Sequence, residues 1–437
     1  FKIFMFNPES SSRKPEEDKG IDLEELGNSV QKEAEKLSRD VSQKTAGEEY
    51  ISEYQTRKSK IRGTEIERGA AFRFERGQIY KAYKILRADI REAKEGSGDT
   101  TSKKELLRTI REKAKATEKD LDELNRQFYE NAKDIEIETE YGKFTMPVVE
   151  LDLRKDIDPS EDKRTPYVFL GGIGSDAIKG AAFSMALALH GHKVYATQQP
   201  EQPCVKKPEN FRQILAEQGD MKIHAAIAKQ TIRNLGLENI NLVGWSTGAT
   251  TALEIACDPD FKSINDLIAL EPLGFEAKGL PKLAKEAAIK LPLAAFPYSE
   301  TRIKGFAQGA EAGQADLALM FETGKILSKK LLSPERMSKI NPKGRFQVWM
   351  GTRSSYTNVR VSENVLSKTE ELRQENNPGA SPLEIYEVSG SDHFLPLVNA
   401  LGLVETMSQE RPDKSITKIK KSDLKNSAVQ EILTSHE

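Results

Sequence analysis

An apolar run that leads directly into a serine flanked by small residues constrains this chain more than any other feature. Residues 240–243 read Ile-Asn-Leu-Val, the motif Gly244-Trp245-Ser246-Thr247-Gly248 follows, and residues 249–253 continue with small and helix-compatible side chains. A tight strand-to-helix turn strains the serine backbone and requires small residues two positions before and after it, as Gly244 and Gly248 are. The segment therefore predicts a nucleophilic serine at a helix N-terminus, where the helix dipole favours developing negative charge.

The Gly-x-Ser-x-Gly pattern alone is weak evidence, because glycines and serines are common. Its position between a predicted strand and a predicted helix strengthens the interpretation. The alternative is that Ser246 only caps the following helix.

From residue 134 onward, the sequence has the rhythm of strands and helices. Residues 135–140 and 144–153 alternate apolar and polar side chains around a turn at residues 141–143, which predicts a β-hairpin. Short apolar runs separated mostly by helical segments then follow, at residues 167–170, 193–196, 241–243, 267–270, 346–350 and 383–388. This pattern predicts an α/β domain over residues 134–437, with a mostly parallel sheet covered by helices on both faces.

The first 133 residues have a different composition. Residues 8–20 are polar and rich in charged residues, serine and proline, and the segment 1–20 is expected to be disordered. Residues 21–133 are rich in Glu, Lys and Arg with apolar residues at helical spacing, which predicts a helical extension of hairpins or a short coiled coil. Its charged faces are interpreted as solvated, and self-association or docking of a protein partner is the alternative.

Composition limits the classes of partner. The 66 basic and 68 acidic residues nearly cancel, so no nucleic-acid partner is expected. The chain has no apolar run long enough to span a membrane, and Cys204 and Cys257 are too few for a disulfide framework. We expect a cytoplasmic protein, although a start at Phe1 leaves room for an upstream targeting segment.

Residues 134 to about 405 resemble the α/β-hydrolase fold family. The hairpin resembles its first two strands, and Tyr167-Val-Phe-Leu-Gly-Gly172-Ile173-Gly-Ser-Asp176 resembles its third strand and the following loop. The resemblance implies an oxyanion hole formed by the backbone N–H of Ile173, or of Gly172, together with that of Thr247. A glycine-rich phosphate loop is the alternative, but the P-loop Lys-Ser/Thr and a G-x-G-x-x-G are missing here.

His393 is the predicted general base. It stands in Val388-Ser-Gly-Ser-Asp392-His393, after the run 383–388, where the resemblance implies the catalytic histidine. An imidazole suits this role because its pKa lies near working pH. The other four histidines are expected to lie on a helix-to-strand turn (His190 and His192), within a helix (His224) and in the tail (His436).

The acid of a catalytic triad is less clearly marked. Many α/β-hydrolases place an aspartate after the strand that corresponds to residues 346–350, but residues 351–358 contain no carboxylate. Glu271, which ends the run 267–270, is the leading alternative because ligands and catalytic groups gather at the carboxyl ends of strands. Glu363, Asp392, or a Ser–His dyad supported by Ser354, Ser355 or Asn358 remain open.

These features predict a serine hydrolase that cleaves a carboxylic ester or thioester through an acyl-enzyme at Ser246, without metal or organic cofactor. Residues 275–340 are expected to include a cap or lid, and its apolar stretch would either line an acyl pocket or pack on the domain. The alternatives are an acyltransferase that uses the same serine and a catalytically silent protein that binds a partner through its helical arm.

Overall fold

A computed structural model represents the chain. It describes residues 131–153, 164–173, 177–202, 205–279, 317–354, 356–391, 395–398, 400–411 and 415–420, with single positions at 108, 127, 393 and 424. The predicted disordered segment 1–20, nearly all of the helical extension 21–133 and residues 280–316 of the predicted lid lie outside this part of the chain. Those three predictions therefore remain predictions.

Within the described residues, nine strands form a single sheet. Their order across the sheet is β1-β2-β4-β3-β5-β6-β7-β8-β9. The strands are β1 Ala132–Thr139, β2 Gly142–Leu151, β3 Tyr167–Leu170, β4 Val194–Thr197, β5 Ile240–Trp245, β6 Ile264–Leu270, β7 Phe346–Gly351, β8 Leu383–Ser389 and β9 Ile416–Lys420. β2 is antiparallel to both β1 and β4, and every other neighbouring pair is parallel. The predicted mostly parallel sheet is confirmed.

Helices cover both faces of this sheet. They are α1 Ala177–Leu189, α2 Phe211–Gln218, α3 Lys222–Asn234, α4 Thr247–Ala256, α5 Leu317–Leu327, α6 Pro334–Met337, α7 Val359–Asn376, α8 Leu395–Val398 and α9 Ala400–Met407. α1, α8 and α9 pack on one face, while α3, α4, α6 and α7 pack on the other. The central strands β3 and β5 are buried along their whole length, as expected for parallel strands covered on both sides.

Three local details differ from the sequence prediction. β1 begins at Ala132, before the predicted domain boundary at residue 134, and a salt bridge between Lys133 Nζ and Glu150 Oε2 (2.8 Å) joins this start to β2. The hairpin turn consists of residues 140 and 141, because Thr139 already pairs with Gly142. β9 was not predicted, since its short edge strand is only half-buried and has a weak apolar pattern.

The parallel register brings several strand ends to one edge of the sheet. Leu170 at the end of β3 pairs with Gly244, and Trp245 at the end of β5 pairs with Leu270 at the end of β6. Gly351 at the end of β7 pairs with Val388 near the end of β8. The loops that carry the predicted site residues therefore leave from neighbouring positions, as in open α/β sheets generally.

Candidate active site

Ser246 lies on a sharp turn between β5 and α4. Its backbone angles are φ 57° and ψ −119°, a conformation that costs an ordinary L-residue of order 1–3 kcal/mol. A Cβ at Gly244 would lie 2.2 Å from the Gly248 carbonyl oxygen, and one at Gly248 would lie 2.0 Å from that of Leu170. The two glycines are therefore required by backbone contacts on both sides of the turn.

His393 is placed against Ser246. Its Nε2 lies 2.8 Å from Ser246 Oγ, a normal hydrogen-bond distance. The indole Nε1–H of Trp245, beside the serine, donates to the main-chain carbonyl of His393 at 2.9 Å. The Tyr356 ring packs on the imidazole with a centroid separation of 4.5 Å and an interplanar angle of 35°. The histidine is thus held through both its backbone and its ring.

Glu271 lies on the other side of the imidazole. Its Oε2 is 3.5 Å from His393 Nδ1, an ion-pair distance somewhat longer than a usual hydrogen bond. The backbone N–H of Gly351 donates to Oε1 of the same carboxylate, which is completely buried. A Cβ at Gly351 would lie 2.9 Å from Glu271 Oε1 and 2.6 Å from the Ser391 carbonyl oxygen, so a larger residue would disturb this contact.

The backbone of Glu271 is also strained. Among the described residues, Ser246 and Glu271 are the non-glycine residues with positive φ, and the value at Glu271 is 54°. The two are linked through the sheet, because the Ser246 N–H donates at 2.9 Å to the carbonyl of Leu270, the residue before Glu271. The Glu271 N–H in turn donates to the Trp349 carbonyl on β7 at 2.8 Å. Both predicted catalytic side chains thus leave the sheet from a strained residue.

The other candidates for the acid are placed differently. Glu363 is a half-buried residue on α7. Asp392 and Ser355 lie outside the described residues. Ser354 Oγ accepts a hydrogen bond from Thr357 N at 3.3 Å, and Asn358 Oδ1 caps α7 by accepting from Val361 N at 3.5 Å. Among the candidates that the structure describes, Glu271 is the carboxylate at the imidazole.

The loop after β3 supplies the backbone groups predicted for an oxyanion hole. Gly172 packs against the serine, since a Cβ there would lie 3.1 Å from Ser246 Cβ. The Ile173 N–H points to the start of α4 and donates to Thr247 Oγ1 at 3.1 Å. The Gln199 side chain supports this loop by donating to the Gly171 carbonyl at 2.6 Å. The structure therefore brings Gly172, Ile173 and Thr247 together beside Ser246.

The sequence prediction missed a second histidine–carboxylate pair, which Glu201 and His224 form. Glu201 follows β4, and its Oε1 lies 2.6 Å from His224 Nε2 on α3 and accepts a hydrogen bond from Thr323 on α5. Both members of the pair are fully buried. Burial disfavours the charged carboxylate, but the adjacent His224 and the hydrogen bonds from His224 and Thr323 outweigh it, so the pKa of Glu201 lies below its ordinary value.

A small pocket lies beside Tyr356, which is one of its lining residues. The carboxyl end of β6, the start of α7 and the end of α5 line it, through residues that include Leu273, Phe275, Lys278, Leu327, Tyr356 and Asn358. Its lining is mixed, because Phe275 and Leu327 are buried apolar residues and Lys278 Nζ pairs with Glu276 Oε1 at 3.1 Å. Tyr356 therefore both lines this pocket and contacts the imidazole of His393.

The described residues lack both a metal-binding cluster and a membrane-spanning helix. They contain no group of three or more His, Cys, Asp or Glu side chains arranged to hold a metal ion. They also contain no helix that is both long enough and apolar enough to cross a membrane.

The strand order, the strained serine turn and the loop arrangement define the class of fold as the α/β-hydrolase fold, as the sequence resemblance implied. No family model matches the chain, and no curated protein matches it significantly. Solved structures do match it, among them two enzymes and one enzyme domain.

A probable hydrolytic enzyme from Pseudomonas aeruginosa PAO1 is 12% identical, covering 64% of this chain and 94% of that one with a TM-score of 0.47. An esterase from Exiguobacterium antarcticum is 16% identical, and the match covers 63% of this chain and 98% of the esterase with a TM-score of 0.45. A thioesterase domain from the curacin biosynthetic pathway is 17% identical, and the match covers 64% of this chain and 99% of that domain with a TM-score of 0.45. At such low similarity these likenesses say nothing about what this chain acts on, and its fold class rests on its own topology.

Proposed function

We propose that this chain is a serine-dependent hydrolase of carboxylic esters or thioesters, with Ser246 as nucleophile, His393 as general base and Glu271 as the acid of the triad. The observation that carries the proposal is the pair of contacts made by one imidazole. Nε2 lies 2.8 Å from Ser246 Oγ, and Nδ1 lies 3.5 Å from the buried Glu271 carboxylate. A nucleophile, a base within hydrogen-bond reach and a group that orients the base are the elements of this chemistry.

In the proposed reaction, Ser246 Oγ attacks the carbonyl carbon of the substrate while His393 Nε2 takes the hydroxyl proton. The tetrahedral intermediate collapses when His393 returns that proton to the leaving oxygen or sulfur, which leaves an acyl group on Ser246. A water molecule then repeats the sequence and releases the carboxylic acid. Glu271 would keep the proton of the neutral imidazole on Nδ1 and stabilise the imidazolium as it forms.

The oxyanion would bind to backbone N–H groups of Thr247 and of Ile173 or Gly172. The first N–H groups of a helix have no partner within the helix, which leaves that of Thr247 available to a ligand. The Ile173 N–H donates to the Thr247 hydroxyl in this structure, so a bound oxyanion would have to replace that acceptor. A preorganised donor of this kind typically increases kcat by about 10²- to 10³-fold.

Labelling with a fluorophosphonate probe tests the proposal. We expect the probe to modify the wild-type chain at Ser246, and Ser246→Ala to abolish the label. Thr250→Ala is the matched control, because Thr250 is a buried hydroxyl residue on α4, the helix that follows Ser246, but its side chain donates to the Leu273 carbonyl. A wild-type chain that does not react, or a label that survives Ser246→Ala, would refute the proposal.

Product analysis then separates hydrolysis from acyl transfer. With p-nitrophenyl esters of increasing chain length, we expect the acid product to form in water without an added acceptor. If the predicted lid lines an acyl pocket, the rates depend on chain length, and equal rates for all lengths would argue against an acyl tunnel. A strict requirement for an alcohol or amine acceptor would instead favour the acyltransferase alternative.

A further inference from the structure

The segment that begins at Gly351, the last residue of β7, and ends before α7 contacts both the acid and the base of the proposed triad, although it contains no carboxylate. We call this segment the β7–α7 loop. At its start, the Gly351 N–H donates to the carboxylate of Glu271. Near its end, the Thr357 hydroxyl donates to the carbonyl of Pro272, the residue after the acid, at 3.2 Å. Two hydrogen bonds from this loop therefore hold the segment that carries Glu271.

The same loop is hydrogen-bonded to the segment that carries the histidine. The Thr352 N–H donates to the Val388 carbonyl at 3.1 Å, and the Arg353 N–H donates to the Ser391 carbonyl at 2.8 Å. In return, the Gly390 N–H donates to Thr352 Oγ1 at 3.1 Å. These bonds fix the position of the loop relative to the backbone around His393.

Tyr356 is the side chain of this loop that contacts the imidazole itself. Its ring centroid lies 4.5 Å from that of His393, and the ring centroid of Trp245 lies 6.0 Å from the same imidazole. Such aromatic contacts restrict the rotation of a ring without changing its charge. A base whose ring is free to rotate would spend less time in line with the serine hydroxyl and the carboxylate.

We propose that Tyr356 is a positioning residue that holds the imidazole of His393 between Ser246 and Glu271, and that the β7–α7 loop aligns the base with the acid instead of supplying the acid. The inference rests on the proposed function for its kinetic consequences. The contact between the rings can be measured without any turnover.

The contact depends on the ring rather than on the hydroxyl group. Tyr356→Phe should therefore keep kcat within about twofold of the wild type, whereas Tyr356→Leu should lower kcat by about 10- to 100-fold, in the range expected for misplacement of a reacting group. KM should change little in both variants if the effect is on the base. Because Tyr356 also lines the neighbouring pocket, a role in substrate binding would instead raise KM and leave kcat unchanged.

The experiment combines three measurements on the full chain: ester turnover, the rate of fluorophosphonate labelling, and ¹⁵N NMR of selectively labelled histidine to read the tautomer of His393. The His393→Gln variant identifies the His393 signals, and melting temperatures verify that each variant is folded. If Tyr356→Leu does not fold, Tyr356→Met replaces it, since methionine fills a similar volume without an aromatic ring.

The expected result is slower turnover and labelling for Tyr356→Leu, recovery in Tyr356→Phe, and a changed tautomer ratio at His393 in the leucine variant alone. Wild-type labelling together with unchanged kcat and unchanged His393 signals in Tyr356→Leu would overturn the inference while the proposed function stands. If the wild type does not label, the proposed function fails, and the NMR spectra still decide whether Tyr356 orients the imidazole.

Discussion

At the scale of single residues, backbone strain is found where the proposed chemistry needs it. Ser246 and Glu271 both adopt positive φ, and both lie directly after neighbouring parallel strands. Strain of this kind persists only where the surrounding structure enforces it, as the sheet and the close contacts at Gly244 and Gly351 do here. The strained backbone directs the hydroxyl and the carboxylate towards the same imidazole.

Glu271→Gln tests the role of the acid. An amide still accepts the Gly351 N–H, but it no longer favours the imidazole tautomer with a proton on Nδ1, nor does it stabilise the imidazolium. We expect kcat for ester hydrolysis to fall by about 10³–10⁴, as for amide replacement of a triad aspartate, with a smaller change in KM. Glu363→Gln is the matched control because Glu363 was the next candidate and lies on α7. A loss of activity in Glu363→Gln with normal turnover in Glu271→Gln would reverse the assignment.

At the scale of elements, the turn from β5 to α4 depends on close contact between segments. α4 packs so near to the end of β3 that Gly248 lies against the Leu170 and Gly171 carbonyls. This contact sets the distance between the serine turn and the loop of Gly172 and Ile173. The spacing of the nucleophile and the proposed oxyanion donors is therefore a packing property of three adjacent elements.

Gly248→Ala should disrupt this packing. The added methyl group would meet a main-chain oxygen at 2.0 Å, so backbone must move, and we expect the free energy of unfolding to fall by about 3 kcal/mol or more. Fluorophosphonate labelling should also become slower. Gly379→Ala is the control, because its nearest atom would be 3.8 Å away, and it should change stability by less than about 0.5 kcal/mol. Urea denaturation of both variants is the measurement, and equal midpoints would contradict the prediction.

The Glu201–His224 pair joins elements that are distant in sequence. Glu201 follows β4, His224 lies on α3 and Thr323 lies on α5, so the pair attaches the described end of the predicted lid region to the main domain. Because the native pKa of Glu201 is below its ordinary value, this carboxylate stabilises the native state above the ordinary carboxyl pKa. That stabilisation is lost as the pH falls through the lowered value.

We therefore expect the free energy of unfolding to decrease below about pH 4 to 5, partly through Glu201. Glu201→Gln should cost about 3 kcal/mol at neutral pH, in the range for breaking a buried pair, and should make the acid limb of the stability curve shallower. The exposed Glu371, which pairs with Lys368 at 2.7 Å, provides the control variant Glu371→Gln, with an expected cost below about 1 kcal/mol. Identical pH–stability curves for wild type and Glu201→Gln would exclude this role.

At the scale of the whole molecule, the carboxyl ends of the parallel strands form one edge of the sheet and their amino ends form the opposite edge. These two edges carry different features. The carboxyl edge carries the proposed site, while the opposite edge contains a charged network around Glu384. Arg345 Nε and Arg411 Nε both donate to Glu384 Oε1 at 3.0 Å, and Arg345 Nη1 donates to the Met407 carbonyl at 2.8 Å. Burial disfavours the charged form of Glu384, but the bonds from Arg345, Tyr386 and Arg411 keep its pKa below the ordinary value.

Arg345→Met should separate stability from activity. We expect the free energy of unfolding to fall by about 1–3 kcal/mol, since the buried Glu384 carboxylate and the Met407 carbonyl lose the half-buried donor Arg345. The kcat per folded molecule should stay within about twofold of the wild type, because the network lies at the far edge of the sheet. Arg360→Met, at an exposed position on α7, is the stability control. A large loss of kcat at full folding would show that the two edges are coupled.

The sequence allowed prediction of features that depend on local pattern. The alternation of apolar runs and helices predicted the sheet, and Gly244 and Gly248 predicted the turn at Ser246, because a tight turn excludes larger side chains. It did not predict the tilted ring contact between Tyr356 and His393 or the Glu201–His224 pair. Those contacts join residues far apart in the chain and leave no periodic signal, so the sequence places His224 only within a helix.

The position of Glu271 also has a consequence for how related chains can be found. In this chain the carboxylate follows the glycine-flanked serine after 25 positions, at the end of the very next strand, and the segment after β7 contains none. A search profile that requires an aspartate after β7 would score such sequences as defective. A profile that pairs the Gly-x-Ser-x-Gly motif with Leu-Glu-Pro at the end of the adjacent strand would instead retrieve them as a separate group.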